Sequence, residues 1–449
     1  MGKPNVLILY PDQMRFDAMG CSGNPLVKTP HIDRLASQGV RFDHAYASFP
    51  LCCPFRASVM TGKFAHAHGM YANHYPISLG QTFLAEVFRD HGYRTGYIGK
   101  WHLDGGIKHG YIPPDRRLGF DWFVGFNRGH EYFNSIFYRQ DDPTPRVSKR
   151  YEPDVQTDHL LEFLDETDER PFLAMVSWGP PHPPLVMPEE YEAMYAEGEV
   201  PVRENSPDAA GSRAFLARYY GMVTAIDDNV GRIMDYLDEK GLCDNTIVYF
   251  VSDHGEMAGE HGLYDKRIYY EASMRVPLIV RWPEKVAGDR VVDGLVYPGV
   301  DLMPTLLELC EIPIPDSVQG TSFAPVLRGE MTSGHDVIHY KWLMESDGPE
   351  KVLTARRGVR THDWLYAATK SGPEVLFDLR NDPLEMHNLV NRASHRDIVE
   401  ELDGIMKTHM DETNDDWGRM AIFPPPNFQT HDKGKAYFQK LVEKAIVED

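Results

Sequence analysis

Asn5-Val6-Leu7-Ile8-Leu9-Tyr10, followed at once by Pro11-Asp12-Gln13, opens the chain with an unbroken apolar run that stops at a turn signal and two polar groups. A run without two-residue alternation reads as a strand buried on both faces of a parallel sheet. Pro171 to Trp178 (PFLAMVSW) and Thr246 to Ser252 (TIVYFVS) have the same character, and Arg94 to Ile98 and Leu278 to Trp282 are shorter versions. Segments of helical period lie between them. Thr29-Pro30 reads as an N-cap with proline at the first helical position, leading the helix His31 to Gln38 to its stop at Gly39. Gln81 to His91 stacks Phe83, Leu84, Val87 and Phe88, and Tyr219 to Lys240 stacks Met222, Ile226, Val230, Met234 and Leu237. This alternation predicts an α/β fold built on a large, mostly parallel sheet flanked by helices.

The pattern changes near Gly334, after the apolar segment Met303 to Leu309. Short strand-like runs follow, Trp364 to Ala368 and Val375 to Asp378, and then a helical stretch from Asp397 to His409. The reading is a large domain over residues 1–334 and a smaller C-terminal α+β subdomain over 335–420. Residues 421–449, which begin with a run of prolines, read as an extended tail.

Bulk composition narrows the function. A formal net charge of -21 over 449 residues argues against nucleic acid or an anionic membrane surface as partner, because both recruit an excess of Lys and Arg. It leaves room for a small anionic substrate held in a local basic pocket. Five scattered cysteines, Cys21, Cys52, Cys53, Cys243 and Cys310, do not make a disulfide framework. The run Val6 to Tyr10 carries neither a basic leader nor a cleavage site, so a soluble, cytoplasmic protein is the expectation.

In parallel α/β sheets, ligands sit beyond the carboxyl ends of the strands. Four strand exits here carry chemical groups. Asp12-Gln13 and Asp253-His254 offer two carboxylates, an amide and an imidazole, all ligand types for a divalent cation. Lys100-Trp101-His102 and Pro180-Pro181-His182-Pro183 offer positive charge and proton transfer. An Asp after a strand is often only a turn residue, so the conjunction carries the weight. A fifth element is Cys52-Cys53-Pro54-Phe55-Arg56, a CxPxR pattern. Its plain alternative is a helix start with a buried cysteine and a surface arginine.

With these segments the chain resembles the sulfatases of the alkaline phosphatase superfamily. The resemblance spans nearly the whole length: NVLILYPDQ (5–13), TPHIDRLASQGVRF (29–42), CCPFRASVMTG (52–62), GYIGKWH (96–102), PPHPP (180–184), SDHGE (252–256) with YDK (264–266), and LFDLRNDPLEMHNL (376–389). It implies an alkaline phosphatase-like fold and oxidation of Cys52 to formylglycine (3-oxoalanine) by a maturation enzyme. Asp12, Gln13, Asp253 and His254 would then bind one divalent cation together with an oxygen on modified Cys52. Arg56, Lys100, His102, His182 and Lys266 would surround the sulfate, and Asn73 stands where related phosphonate hydrolases keep a polar substrate contact. Gln13 and His254 replace the Asp and Asn of many relatives, and Phe55 replaces a small residue. Ca²⁺ is expected, with Mn²⁺ or Mg²⁺ as alternatives.

The activity implied is hydrolysis of a small-molecule or oligosaccharide sulfate monoester through a covalent sulfo-enzyme intermediate. One hydroxyl of hydrated formylglycine attacks sulfur, and the second lets sulfate leave as the aldehyde reforms. His182, with Lys266, is the candidate acid for the leaving oxygen, and His102 the candidate base. Two other readings stand beside it: a phosphonate monoester or phosphodiester hydrolase of the same superfamily, against which Lys100 and His102 speak, and a non-catalytic glycan-binding relative with an unmodified Cys52. Trp122, His130, Tyr132, Phe133, Tyr138 and Arg139 read as a surface suited to stacking a sugar or aryl ring. Intact-protein mass spectrometry of material from a host with the maturation enzyme should find the mass lowered by about 18 Da, the formula difference for this modification. The Cys52→Ala variant should show no such deficit.

Overall fold

Alternate residues of the first strand feed two separate cores in the computed structural model, which describes residues 2–166, 168–332, 334–345, 353–417 and 434–448. Val6, Ile8 and Tyr10 join Leu173, Met175, Ile247, Tyr249 and Val251 on one face. Leu7 and Leu9 join Ala174, Val176, Trp178, Val248 and Phe250 on the other. Burial of both faces is why these strands are apolar at every position and not at every second one.

Among the described residues the larger sheet has 11 strands. From edge to edge they are Arg290–Val296, Val40–Ala45, Leu278–Arg281, Thr246–Val251, Asn5–Asp12, Phe172–Pro181, Arg94–Lys100, Trp122–Phe126, Ser135–Arg139, Asp142–Ser148 and Ile446–Val447. The central pairings are parallel: Asn5–Asp12 lies between Thr246–Val251 and Phe172–Pro181, and Phe172–Pro181 pairs onward with Arg94–Lys100. The exits of these four adjacent strands therefore fall along one edge of the sheet. No helix among the described residues is long and apolar enough to cross a membrane, and all five cysteines are free.

Helix Pro30–Ser37 begins where the Thr29-Pro30 signal places it, but the Thr29 side chain does not cap it. Thr29 Oγ1 instead donates to Asp33 and accepts from Gly20 N. The cap comes from Asp227, inside the long helix Ala209–Glu239, which accepts from His31 N at 3.1 Å and Ile32 N at 2.7 Å. A carboxylate distant in sequence does the work that a local reading gives to threonine.

The C-terminal segment forms an antiparallel sheet of Ile338–Glu345, Leu353–Arg360, Trp364–Thr369 and Gly372–Asp378, in sequential order. Val359, Tyr366, Ala368 and Leu376 pack under Leu402, Met406 and Met410 of helix Arg396–Glu412. Ile338, Tyr340, Trp342, Leu365 and Phe377 face the larger domain and pack with Tyr46, Phe49, Leu295 and Tyr297. The stretch read as an extended tail is corrected in part. Residues 421–433 lie outside the described residues, whereas Gly434–Lys444 is a helix and Ile446–Val447 pairs in parallel with Arg146 and Val147. Phe438, Leu441, Val442 and Ala445 recur at helical spacing and pack on Ile136, Tyr138 and Val147. A proline run ahead of a short amphipathic stretch hid that helix.

Asp227→Ala should cost about 1–2 kcal/mol, the usual scale for losing a helix N-cap acceptor. The expected sign is a lower denaturation midpoint in urea with an unchanged m-value.

Candidate active site

Cys52 begins the helix Cys52–Thr61, every residue of which is buried. The helix stands with its N-terminal end at the strand exits, where its dipole favours an anion. Asn73 Oδ1 accepts from Cys53 N at 3.0 Å and so ties that end to the following loop. Arg56 is 1% exposed, which removes the surface-arginine alternative for CxPxR. Its guanidinium lies over the Tyr10 ring and donates to Lys100 O at 2.9 Å, Ser177 Oγ at 2.7 Å and Asp12 Oδ2 at 3.0 Å.

The structure brings Asp12, Cys52, Asp253 and His254 together, all buried, with one ligand atom from each within 4.8 Å of the others. Cys52 Sγ lies 3.2 Å from His254 Nε2 and 4.0 Å from Asp12 Oδ1. His254 Nδ1 donates to Gly255 O at 3.0 Å, which leaves the Nε2 lone pair facing the cluster. Asp253 Oδ2 is buried without a hydrogen-bond partner. A cation fits this set on two grounds: two carboxylates with no exposed surface stand side by side, and one of their oxygens accepts no hydrogen bond and has only Arg56 Nη2 at 3.7 Å for a counter-charge. The Gln13 side chain is held by Glu256, which accepts from Nε2, and by Lys266, which donates to Oε1.

Local backbone is bent to make this possible. Gln13 and His102 both follow a strand and both adopt positive φ, 64° and 58°. Non-glycine residues pay for that conformation, and it persists where surrounding contacts fix it. At Gln13 those contacts are Asp253 Oδ1, which accepts from Gln13 N at 2.9 Å, and Tyr219 OH, which donates to Gln13 O at 2.6 Å.

The remaining residues enclose a cleft of about 510 Å³ whose lining includes Cys52, Asn73, His102, His182 and Lys266. Lys100 is fully buried and donates to Asp12 Oδ2 at 2.6 Å. Lys266 donates to His182 Nε2 at 2.8 Å, while His182 Nδ1 donates to Pro183 O at 2.6 Å. Burial would raise the Asp12 carboxyl, but Lys100 and Arg56 hold it well below the usual range. Burial and Asp12 push the Cys52 thiol up, and Lys266 and Lys100 bring it below its ordinary value. Burial and the charge of Lys100 keep His102 neutral, and burial and Lys266 do the same for His182. Lys266 stays charged against burial because Cys52, Asp265 and Asp12 surround it.

Three further residues join the site. His130 stacks on His182 with ring centroids 3.8 Å apart and lies 3.4 Å from Lys100 Nζ. His74 Nδ1 is 3.2 Å from His102 Nε2. Glu256 orients Gln13; its place in the SDHGE run was the available clue. Of the aromatic set read as a ring-stacking surface, only His130 lines the cleft. Trp122 is packed on Phe163, Tyr132 is buried beneath His182, Tyr138 donates to His109 O, Phe133 lies against Tyr151, and Arg139 pairs with Glu162. Lys108, Arg128, Phe215, Tyr264 and Arg267 line the cleft instead.

If the Asp12 cluster holds a cation, the clamp on Gln13 should matter to it. Glu256→Gln should weaken binding of added Ca²⁺ about 10- to 100-fold, the scale of outer-shell changes, in calorimetric titration after chelation.

Comparison with known proteins gives a consistent picture. Residues 4–312 match the Sulfatase family profile, and residues 259–412 match the C-terminal profile of N-sulphoglucosamine sulphohydrolase. An ulvan-active sulfatase of Formosa agariphila is 34% identical over 425 residues, covering 92% of this chain and 82% of that protein. A protein solved in complex with its substrate D-glucosamine-2-N,6-O-disulfate superposes with a TM-score of 0.82 at 25% identity, over 92% of this chain and 99% of the other. The phosphonate monoester hydrolase of Agrobacterium radiobacter shares the fold, with a TM-score of 0.78 at 24% identity over 92% of this chain and 96% of that one.

Proposed function

Because the chain belongs to the sulfatase family, and so is a sulfuric ester hydrolase of the alkaline phosphatase superfamily, we propose that it cleaves a sulfate monoester of an anionic saccharide, using a formylglycine made from Cys52. The observation that carries this reading is the position of Cys52 Sγ, on the cleft wall and 3.2 Å from His254 Nε2 inside the buried carboxylate cluster. Relatives named for ulvan and for a disulfated glucosamine support a sugar substrate. Lys108, Arg128 and Arg267 along the cleft suit an anionic one.

A divalent cation held by Asp12, Gln13, Asp253 and His254 would supply Lewis-acid charge that lowers the pKa of an oxygen on residue 52. Formylglycine would supply a hydrated aldehyde, with one hydroxyl to attack sulfur and a second through which sulfate departs. Arg56 and Lys100 keep Asp12 ionised and fixed in place, and Lys100 adds positive charge beside the transferred oxygens. The Lys266–His182 pair faces the leaving oxygen. Its resting proton is on Lys266, which donates to a neutral His182, so the acid is the pair and not His182 alone. His102, kept neutral and with Nδ1 unpaired, is fit to take a proton from residue 52.

Kinetics with sulfated saccharides, aryl sulfates and a phosphonate monoester test the reading together. The saccharide sulfate should give the highest kcat/KM, and faster turnover of the phosphonate would refute it. Lys266→Ala should lower kcat about 10²- to 10³-fold. His182→Ala should cost about 10²- to 10⁴-fold with a saccharide but far less with a nitrophenyl sulfate, whose leaving group needs no proton.

A further inference from the structure

A second set of metal-ligating side chains lies outside the cleft. His44 is on the strand Val40–Ala45, Asp293 on the edge strand Arg290–Val296, and His362 in the turn that joins Leu353–Arg360 to Trp364–Thr369. One ligand atom from each lies within 4.8 Å of the others. His44 Nε2 is 3.0 Å from Asp293 Oδ1, and the two imidazoles meet edge to face with centroids 5.0 Å apart.

The hydrogen-bond chain behind His44 fixes where its proton sits. Arg360 at 2.8 Å and Arg275 at 3.6 Å hold Glu271 as a carboxylate, which only accepts. Tyr46 OH therefore donates to Glu271 Oε2, at 3.0 Å, and can only accept from His44 Nδ1 at 3.1 Å. That places the His44 proton on Nδ1 and the lone pair on Nε2, facing the Asp293 carboxylate. With the proton on Nδ1, Nε2 and the Asp293 carboxylate 3.0 Å away are both acceptors, and a cation between them satisfies both. The guanidinium groups behind His44 pair with Glu271.

We propose that His44, Asp293 and His362 bind a transition-metal dication, best matched by Zn²⁺, which cross-links the edge of the large sheet to the C-terminal sheet. Two imidazoles and a carboxylate with water in the fourth position form a tetrahedral nitrogen and oxygen set, and an imidazole oriented through its other nitrogen by Tyr46 is the usual outer-shell arrangement. The inference does not depend on the sulfatase reading.

Calorimetric titration with ZnCl₂ tests it in wild type, His362→Ala and Asp293→Asn. The Asp12 cluster is common to all three proteins, so binding there cancels. Wild type should take up one more Zn²⁺ per chain than either variant, and Tyr46→Phe should weaken that site about 10- to 100-fold. Asp293 is 84% exposed, so its variant remains a folded control should His362→Ala fail to express. Equal stoichiometry in wild type and Asp293→Asn overturns the proposal.

Discussion

Asp12 has no exposed surface, and taking a carboxylate out of water costs several kcal/mol unless opposite charge replaces the solvent. Lys100 and Arg56 supply that charge at 2.6 and 3.0 Å, and both are themselves buried. Neither cation is stable there without the carboxylates, and the carboxylates are not stable without them. Each comes from a different element: the first strand, the helix that starts at Cys52, and the strand Arg94–Lys100. Mutual charge compensation therefore binds three elements to one point, and removing any one partner leaves an uncompensated buried charge, at about 3–5 kcal/mol.

That point lies where it does because the sheet is parallel at its centre. Parallel strands end on the same side, so Asp12, Lys100, His182 and Asp253 reach one edge from four neighbouring strands without long connections. The Cys52 helix then needs only to direct its first turn at that edge. Its complete burial explains its apolar surface: Phe55, Ala57, Val59 and Met60 all belong to the core on one face of the sheet.

Strand existence and the strand-exit residues were legible because both depend on local composition: a doubly buried strand must be apolar throughout, and a polar group at its end is conspicuous. Arg56 was legible as a residue but not as a buried one, since only the meeting of Asp12, Ser177 and Lys100 O around it makes burial tolerable. His74 and the positive φ of Gln13 and His102 were not legible, because each is imposed by contacts between segments far apart in sequence, and His130 was legible as a candidate ring contact but not as the partner of His182 and Lys100. The aromatic stretch failed for the opposite reason. Its residues have the composition of a sugar platform, but Trp122, Tyr132 and Tyr138 are spent on packing and on backbone carbonyls.

The C-terminal sheet has a part in the site as well. Lys341, on its first strand, donates to Asp415 at 2.6 Å and also bonds His66; Arg357 makes two further bonds to Asp415, each at 2.7 Å. All four residues are buried. Burial draws the Lys341 ammonium down to about 7, against the pull of Asp415 and with Arg357 reinforcing the shift. His66 belongs to the segment that runs from the Cys52 helix to Asn73 and His74. That segment is thus pinned at one end to the small sheet through His66 and at the other to Cys53 N through Asn73. With both ends fixed, His74 is held against His102, so the position of a cleft histidine depends in part on a sheet of which no described residue lines the cleft.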